Sequence, residues 1–137
     1  MTMEIIHLED QQTVQGPAET FSGQVRISGL FTAPSPAELS TGTVTFEPGA
    51  RTHWHTHPLG QLLIVTDGEG WIQIEGQARQ DIRQGDMVWI EPHTNHWHGA
   101  QDDRSMTHIA IQQAENGSPV RWGAAVSDAE YAPEQSE

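Results

Sequence analysis

Cysteine is absent from this 137-residue chain. That excludes disulfides, thiolate metal sites and cysteine nucleophiles together. Positive charge is scarce: 6 Lys+Arg stand against 19 Asp+Glu, a formal net charge of −13. Such a surface repels nucleic acid and anionic lipid, so neither a nucleic-acid partner nor a membrane partner is expected. Much of the acid lies near the ends, at Glu4, Glu9, Asp10 and Glu19, then Asp128, Glu130, Glu134 and Glu137. It reads as a solvated surface. Long apolar runs are missing; Leu62-Leu63-Ile64-Val65 is far too short to span a bilayer. Met1 to Asp10 has no charged segment followed by an apolar run, so no signal peptide is expected and the chain reads as cytoplasmic. No Walker or dinucleotide fingerprint occurs. Gly49, Gly68, Gly76 and Gly85 therefore read as turn residues rather than phosphate cradles. The length fits one domain able to bury its own core.

What the chain does have is strand signals and histidine. Val25-Arg26-Ile27-Ser28 alternates, and Gly42 to Phe46 is β-branched and aromatic up to the turn pair Pro48-Gly49. Gln61 to Thr66 is an apolar run that closes at Asp67-Gly68-Glu69-Gly70, before a second strand, Trp71 to Ile74. Met87 to Ile90 follows the turn Gln84-Gly85-Asp86, and Thr107 to Ile111 closes the series. Short strands with turns at this spacing predict an all-β sandwich or barrel. Ser127-Asp128-Ala129-Glu130 is a capping box, which predicts a short C-terminal helix from about Asp128, kept short by Pro133. The chain divides into an N-terminal arm (1–20), a barrel (21–113) and a C-terminal tail (114–137).

Five of the eight histidines fall in two clusters: His53, His55 and His57, then His96 and His98. Alternate side chains of a strand share a face. His55 and His57 then point the same way, with Cα atoms roughly 6.5–7 Å apart, so both imidazoles can converge on one ion. His53 has the same parity but sits one rung further out. His96 and His98 repeat the geometry, and Gln61 follows the Pro58-Leu59-Gly60 bend, from which its amide oxygen can swing back toward His57. His53 and His93 are expected at the rim or exposed, and His7 has no role. Parity turns Val44, Leu63 and Ala110 inward as an apolar pocket wall. The five tryptophans are read as core and dimer contacts, with Trp97 facing away from its flanking histidines.

Gly49-x5-His55-x-His57-x3-Gln61-x6-Gly68 resembles the first cupin motif, with Gln where most members have Glu. Gly85 through Pro92 to His96 resembles the second, with Glu91 for Pro, His93 for Gly and Ala100 for Asn. The resemblance runs from about Phe46 to Gln112 and implies a double-stranded β-helix, a small jelly-roll barrel with a metal inside its mouth. His55-Thr56-His57-Pro58-Leu59-Gly60-Gln61, His96-Trp97-His98-Gly99-Ala100 and Met106-Thr107-His108 resemble one branch more closely: the bacterial manganese-dependent cupin hydroxynitrile lyases. Cupin domains related to carboxymuconolactone-decarboxylase proteins are also similar. The resemblance implies metal ligation by His55, His57, Gln61 and His96, acid/base roles for His98 and His108, and pocket positions for Val44 and Gln112.

Three neutral imidazoles and a neutral amide leave the full +2 charge on an ion, which makes it a stronger Lewis acid than a carboxylate-ligated one. The nitrogen and oxygen donors suit Mn²⁺ first and Fe²⁺ next, with Zn²⁺ and Ni²⁺ as alternatives. The first functional expectation is a C–C lyase that cleaves or forms cyanohydrins, a small-molecule substrate. Its competitors are a metal-dependent dioxygenase, an isomerase or decarboxylase of small acids, and a non-enzymatic ligand-binding cupin. The acid reading calls for cationic pocket residues, and Arg51 is the only arginine near the first motif. A homodimer or homotetramer is expected.

Overall fold

The structure, a computed structural model, describes residues 3–133; the outermost ends of the arm and tail (1–2 and 134–137) lie outside them. The chain is all-β, as the alternation implied. Among the described residues twelve strands form: β1 (Val14–Gln15), β2 (Phe21–Ser22), β3 (Val25–Thr32), β4 (Leu39–Phe46), β5 (Arg51–Thr52), β6 (His55–Thr56), β7 (Gln61–Ile74), β8 (Gln80–Arg83), β9 (Met87–Ile90), β10 (His96–Ala100), β11 (Met106–Gln113) and β12 (Arg121–Trp122). They are joined in one curled sheet along the path β1-β3-β4-β11-β7-β10-β5-β2, with β8 and β9 on β7, β6 on β10 and β12 on β6. Strands β1 and β12 belong to the arm and the tail, so the sheet extends into both.

The two strands expected between Gln61 and Ile74 are one. β7 runs 14 residues and bends where a turn was read. Its first half pairs with β11 and β9, its second with β10 and β8, so it joins both halves of the barrel. The bend falls at Gly68, whose φ is +74°. A Cβ there would run into the Ser105 carbonyl, so the turn-like composition marks a close backbone approach inside a strand.

Inward positions build the core. Leu63 and Val65 of β7, Met106 and Ala110 of β11, and Val44 and Phe46 of β4 pack with Val25, Ile72 and Ile90. A second cluster lies outside β10, where Trp71, Trp97, Val126 and Tyr131 gather. It seats the predicted helix, α1 (Asp128–Tyr131). Its box is closed: Glu130 N–H donates to Ser127 Oγ (3.1 Å), and Ser127 N–H donates to Glu130 Oε1 (2.9 Å). Tyr131 donates to the Ala100 carbonyl at 2.6 Å, and burial pushes its phenol up to about 12. Among the described residues no helix is long and apolar enough to cross a membrane.

Candidate active site

The histidine clusters meet because β6 and β10 pair with His55 directly opposite His96. Gly60, at φ +83°, then turns the chain so that β7 begins with Gln61 in the same region. The ring centroids of His55 and His96 lie 4.2 Å apart, those of His55 and His57 5.0 Å, and those of His57 and His96 5.6 Å. All three are buried.

Backbone carbonyls orient each ring. Nδ1 of His55 lies 2.9 Å from the His53 carbonyl, Nδ1 of His57 2.9 Å from that of Pro119, and Nδ1 of His96 2.9 Å from that of Thr94. A carbonyl only accepts, so each Nδ1 carries the proton and each Nε2 presents a lone pair, the arrangement that metal-ligating histidines use. Nε2 of His57, Nε2 of His96 and Oε1 of Gln61 are buried without a hydrogen-bond partner. Buried acceptors with nothing to accept from are costly unless an ion meets them. These residues fit a divalent cation.

The ring nitrogens of His55, His96 and His98 also lie within 4.8 Å of one another, a trio that could hold an ion. His98 differs from the other three in its Nδ1, which lies 3.1 Å from Nε2 of His108. Its own Nε2 is buried and unpartnered. His98 and His108 thus form a dyad, with Phe46 packed against both rings at 6.0 and 5.4 Å.

Burial disfavours the charged form throughout the cluster. It pushes His96 and His108 down to about 4. His55 falls well below the ordinary 6.5, by burial first and then through His96 and His57. His98 does the same, by burial first and then through His108. His57 is lowered by burial too.

A cavity of about 360 Å³ opens beside these groups. His55, His57, Gln61, His98 and His108 line it, with Val44, Ala110 and Gln112 among the walls, while His96 stands behind them, fully buried. Leu63 is a correction: it does not line the cavity. It points inward as parity required, but two residues beyond Gln61 along β7 it is fully covered in the core. His53 is a second correction. Expected at the rim or exposed, it is buried, because the arm lies over it and its N–H donates to the Thr20 carbonyl at 2.9 Å. His93 is exposed as expected, and it adopts a left-handed φ of 63° where the second motif has glycine. Its N–H donates to the His57 carbonyl at 3.0 Å. Trp97 is fully buried outside β10, away from the cavity, with its indole N–H on Gln73 Oε1 at 2.9 Å.

Sequence reasoning missed the roof. Pro17 and Thr20 come from the end of the arm, Phe21 from β2 just after it, and Pro119, Val120 and Trp122 from the tail. Trp122, read as core or dimer contact, pairs with His55 across β12 and β6, and its ring lies 4.7 Å from the imidazole. Phe21 is 6.0 Å from Trp122 and 6.1 Å from Phe46, so aromatic rings run from His55 through Trp122 and Phe21 to Phe46. No Asp, Glu, Lys or Arg lines the cavity among the described residues. Arg51 is turned away, donating to the Val126 carbonyl at 2.7 Å and to Asp128 at 2.9 Å.

A family model described as "Cupin domain" matches residues 42–111. The (R)-mandelonitrile lyase of Granulicella tundricola is 54% identical over 129 residues, which cover 94% of this chain and 98% of that protein. A cupin-like protein from Thermotoga maritima, known from its crystal structure, superposes with a TM-score of 0.80 at 39% identity, over 85% of this chain and 89% of that one. A cupin 2 conserved barrel domain protein from Rhodopseudomonas palustris superposes with a TM-score of 0.68 at 18% identity, over 84% and 79% of the two chains.

Proposed function

This chain belongs to the cupin family, and from that premise we propose that it is a metal-dependent C–C lyase of the hydroxynitrile lyase kind, cleaving or forming cyanohydrins. The observation that carries the reading is the convergence of unpartnered acceptor atoms on an apolar cavity without a charged side chain. A neutral, flat, apolar molecule with one hydroxyl fits such a cavity. A small acid fits less well, because no Lys or Arg lines the cavity to pair with its carboxylate. The near full-length identity to a mandelonitrile lyase supports the same substrate class.

His55, His57, Gln61 and His96 hold the ion in this reading. When bound, it supplies Lewis acidity that stabilises negative charge developing on the substrate oxygen. Manganese is the ion proposed, with iron(II), zinc and nickel as competitors for the same nitrogen and oxygen donors. His98 is kept out of the ligand set because its Nδ1 is engaged by His108 rather than by a carbonyl. Its Nε2 faces the cavity as a base. For that lone pair to be free, Nδ1 of His98 carries the proton and donates to Nε2 of His108, which places the His108 proton on Nδ1. His98 takes the hydroxyl proton, the carbon–carbon bond breaks, and its electron pair leaves with cyanide. Cyanide then takes the proton back from the histidine, and the aldehyde and hydrogen cyanide depart. His108 holds His98 in the required tautomer throughout.

The proposal includes a cytoplasmic setting and a homodimer or homotetramer. The outer face of the sheet supports the oligomer: Leu62 and Ile64 of β7 and Ile109 and Ile111 of β11 are half-buried outward, beside exposed Met87 and Trp89 of β9. A solvated sheet face would alternate with polar residues there. Light scattering that returns a monomer contradicts it. The test of the activity is benzaldehyde release from mandelonitrile by manganese-loaded protein, beside His108→Ala. Release by the wild type and its loss in the variant are expected. A protein that holds manganese and releases none overturns the lyase reading.

A further inference from the structure

Ser40 of β4, Gln112 of β11 and Gln61 of β7 lie on one rung of the sheet. Gln112 stands directly opposite Ser40 on one side and directly opposite Gln61 on the other. Their side chains form a line. Gln112 Nε2 donates to Ser40 Oγ at 2.9 Å and reaches the Ser40 carbonyl at 3.3 Å. Gln61 Nε2 donates to Gln112 Oε1 at 3.0 Å. Gln61 Oε1 is left buried and without a partner.

The direction of this line is not free. An amide can sit either way round, and only its partners decide which. The Ser40 carbonyl accepts and never donates, so Gln112 must turn its NH₂ group toward it. That sets Gln112 Oε1 against Gln61, and Gln61 must answer with its own NH₂ group. Reversing Gln61 would set two carbonyl oxygens against each other and turn an N–H pair toward the ion, where it cannot ligate. A backbone carbonyl two strands away thus fixes which atom of Gln61 faces the ion.

We propose that Gln112 is a positioning residue for the metal: through its side chain, anchored on Ser40, it holds Gln61 with the carbonyl oxygen facing the ion. The proposal rests on the reading that Gln61 is a ligand. Partners that orient ligands in this way are worth roughly 10–100-fold in metal affinity.

The experiment is a double-mutant cycle on manganese affinity, read from the electron paramagnetic resonance signal of free Mn²⁺ and independent of turnover. The proteins are the wild type, Gln61→Leu, Gln112→Met and the double variant. Gln112→Met is expected to weaken manganese binding about 10-fold, and the double variant to bind like Gln61→Leu alone. If Gln61→Leu binds like the wild type, the ligand reading itself fails. If Gln61→Leu is weak but Gln112→Met is unchanged, or its loss persists in full in the double variant, the positioning role is overturned.

Discussion

Held free of metal, this protein should be unusually sensitive to mild acid. The structure gives the size of the effect. His96 and His108 are pushed down to about 4 by burial, against 6.5 for a free imidazole. In the unfolded chain both take up protons as the pH falls through 6.5, whereas in the folded chain they do not until about 4. Their contribution to stability is full above pH 6.5 and is lost as the pH falls toward 4. At pH 5.5 each has lost roughly 1–2 kcal/mol, so the two together have lost about 3 kcal/mol. His55 and His98, lowered in the same direction, deepen the loss. A domain of this size has on the order of 5–15 kcal/mol in all. The assay is urea unfolding in excess chelator at pH 7.5 and 5.5, a range that lies above the titration of exposed carboxylates. With a slope of about 1.5 kcal/mol per molar urea, the midpoint should drop by about 2 M. A drop of less than about 0.5 M would refute the picture of a buried neutral histidine cluster. Manganese at about 100 times its dissociation constant should add about 2.7 kcal/mol at pH 7.5, and that gain should shrink as acid competes for the ligands.

Three further outcomes follow from the same geometry. His55→Ala or His96→Ala should retain no manganese after dialysis while His98→Ala retains it, as read by elemental analysis; loss of metal from His98→Ala would move the ligand set to the His55, His96 and His98 trio. Trp122→Ala should raise the KM for mandelonitrile about tenfold at unchanged metal content, the equivalent of about 1.4 kcal/mol of lost aromatic contact; an unchanged KM would remove Trp122 from the substrate wall. His93→Gly should raise stability by about 1 kcal/mol in urea unfolding, because φ 63° suits glycine and the N–H bond to His57 survives. A loss of stability would mean that the exposed imidazole makes a contact that outweighs the strain.

The barrel was legible because alternation is a local signal. Val44, Phe46, Val65 and Ala110 declare their inward face within a few residues, and the capping box at Ser127 and Glu130 declares α1 within four. His55, His57, Gln61 and His96 stood out by spacing. What spacing could not convey was register. The pairing of His98 with His108, and the line from Ser40 through Gln112 to Gln61, depend on which residues face each other across strands far apart in the chain. Leu63 was misplaced for a related reason, since parity gives the face but not the depth. The roof was missed because Pro17, Thr20, Pro119 and Trp122 reach the cavity from the arm and the tail, and nothing local ties those segments to His55.

That roof has a thermal consequence. Phe21 and Trp122 sit on β2 and β12, ladders of two residues each at the margins of the sheet, while the floor rests on strands of eight and fourteen residues. Short marginal ladders fray at a small fraction of the free energy that melts a core. Warming should therefore uncover the catalytic chamber while the barrel is still whole. Activity would decline at temperatures where the β signal has not begun to change. The same fraying would give a small molecule a way into and out of the cavity.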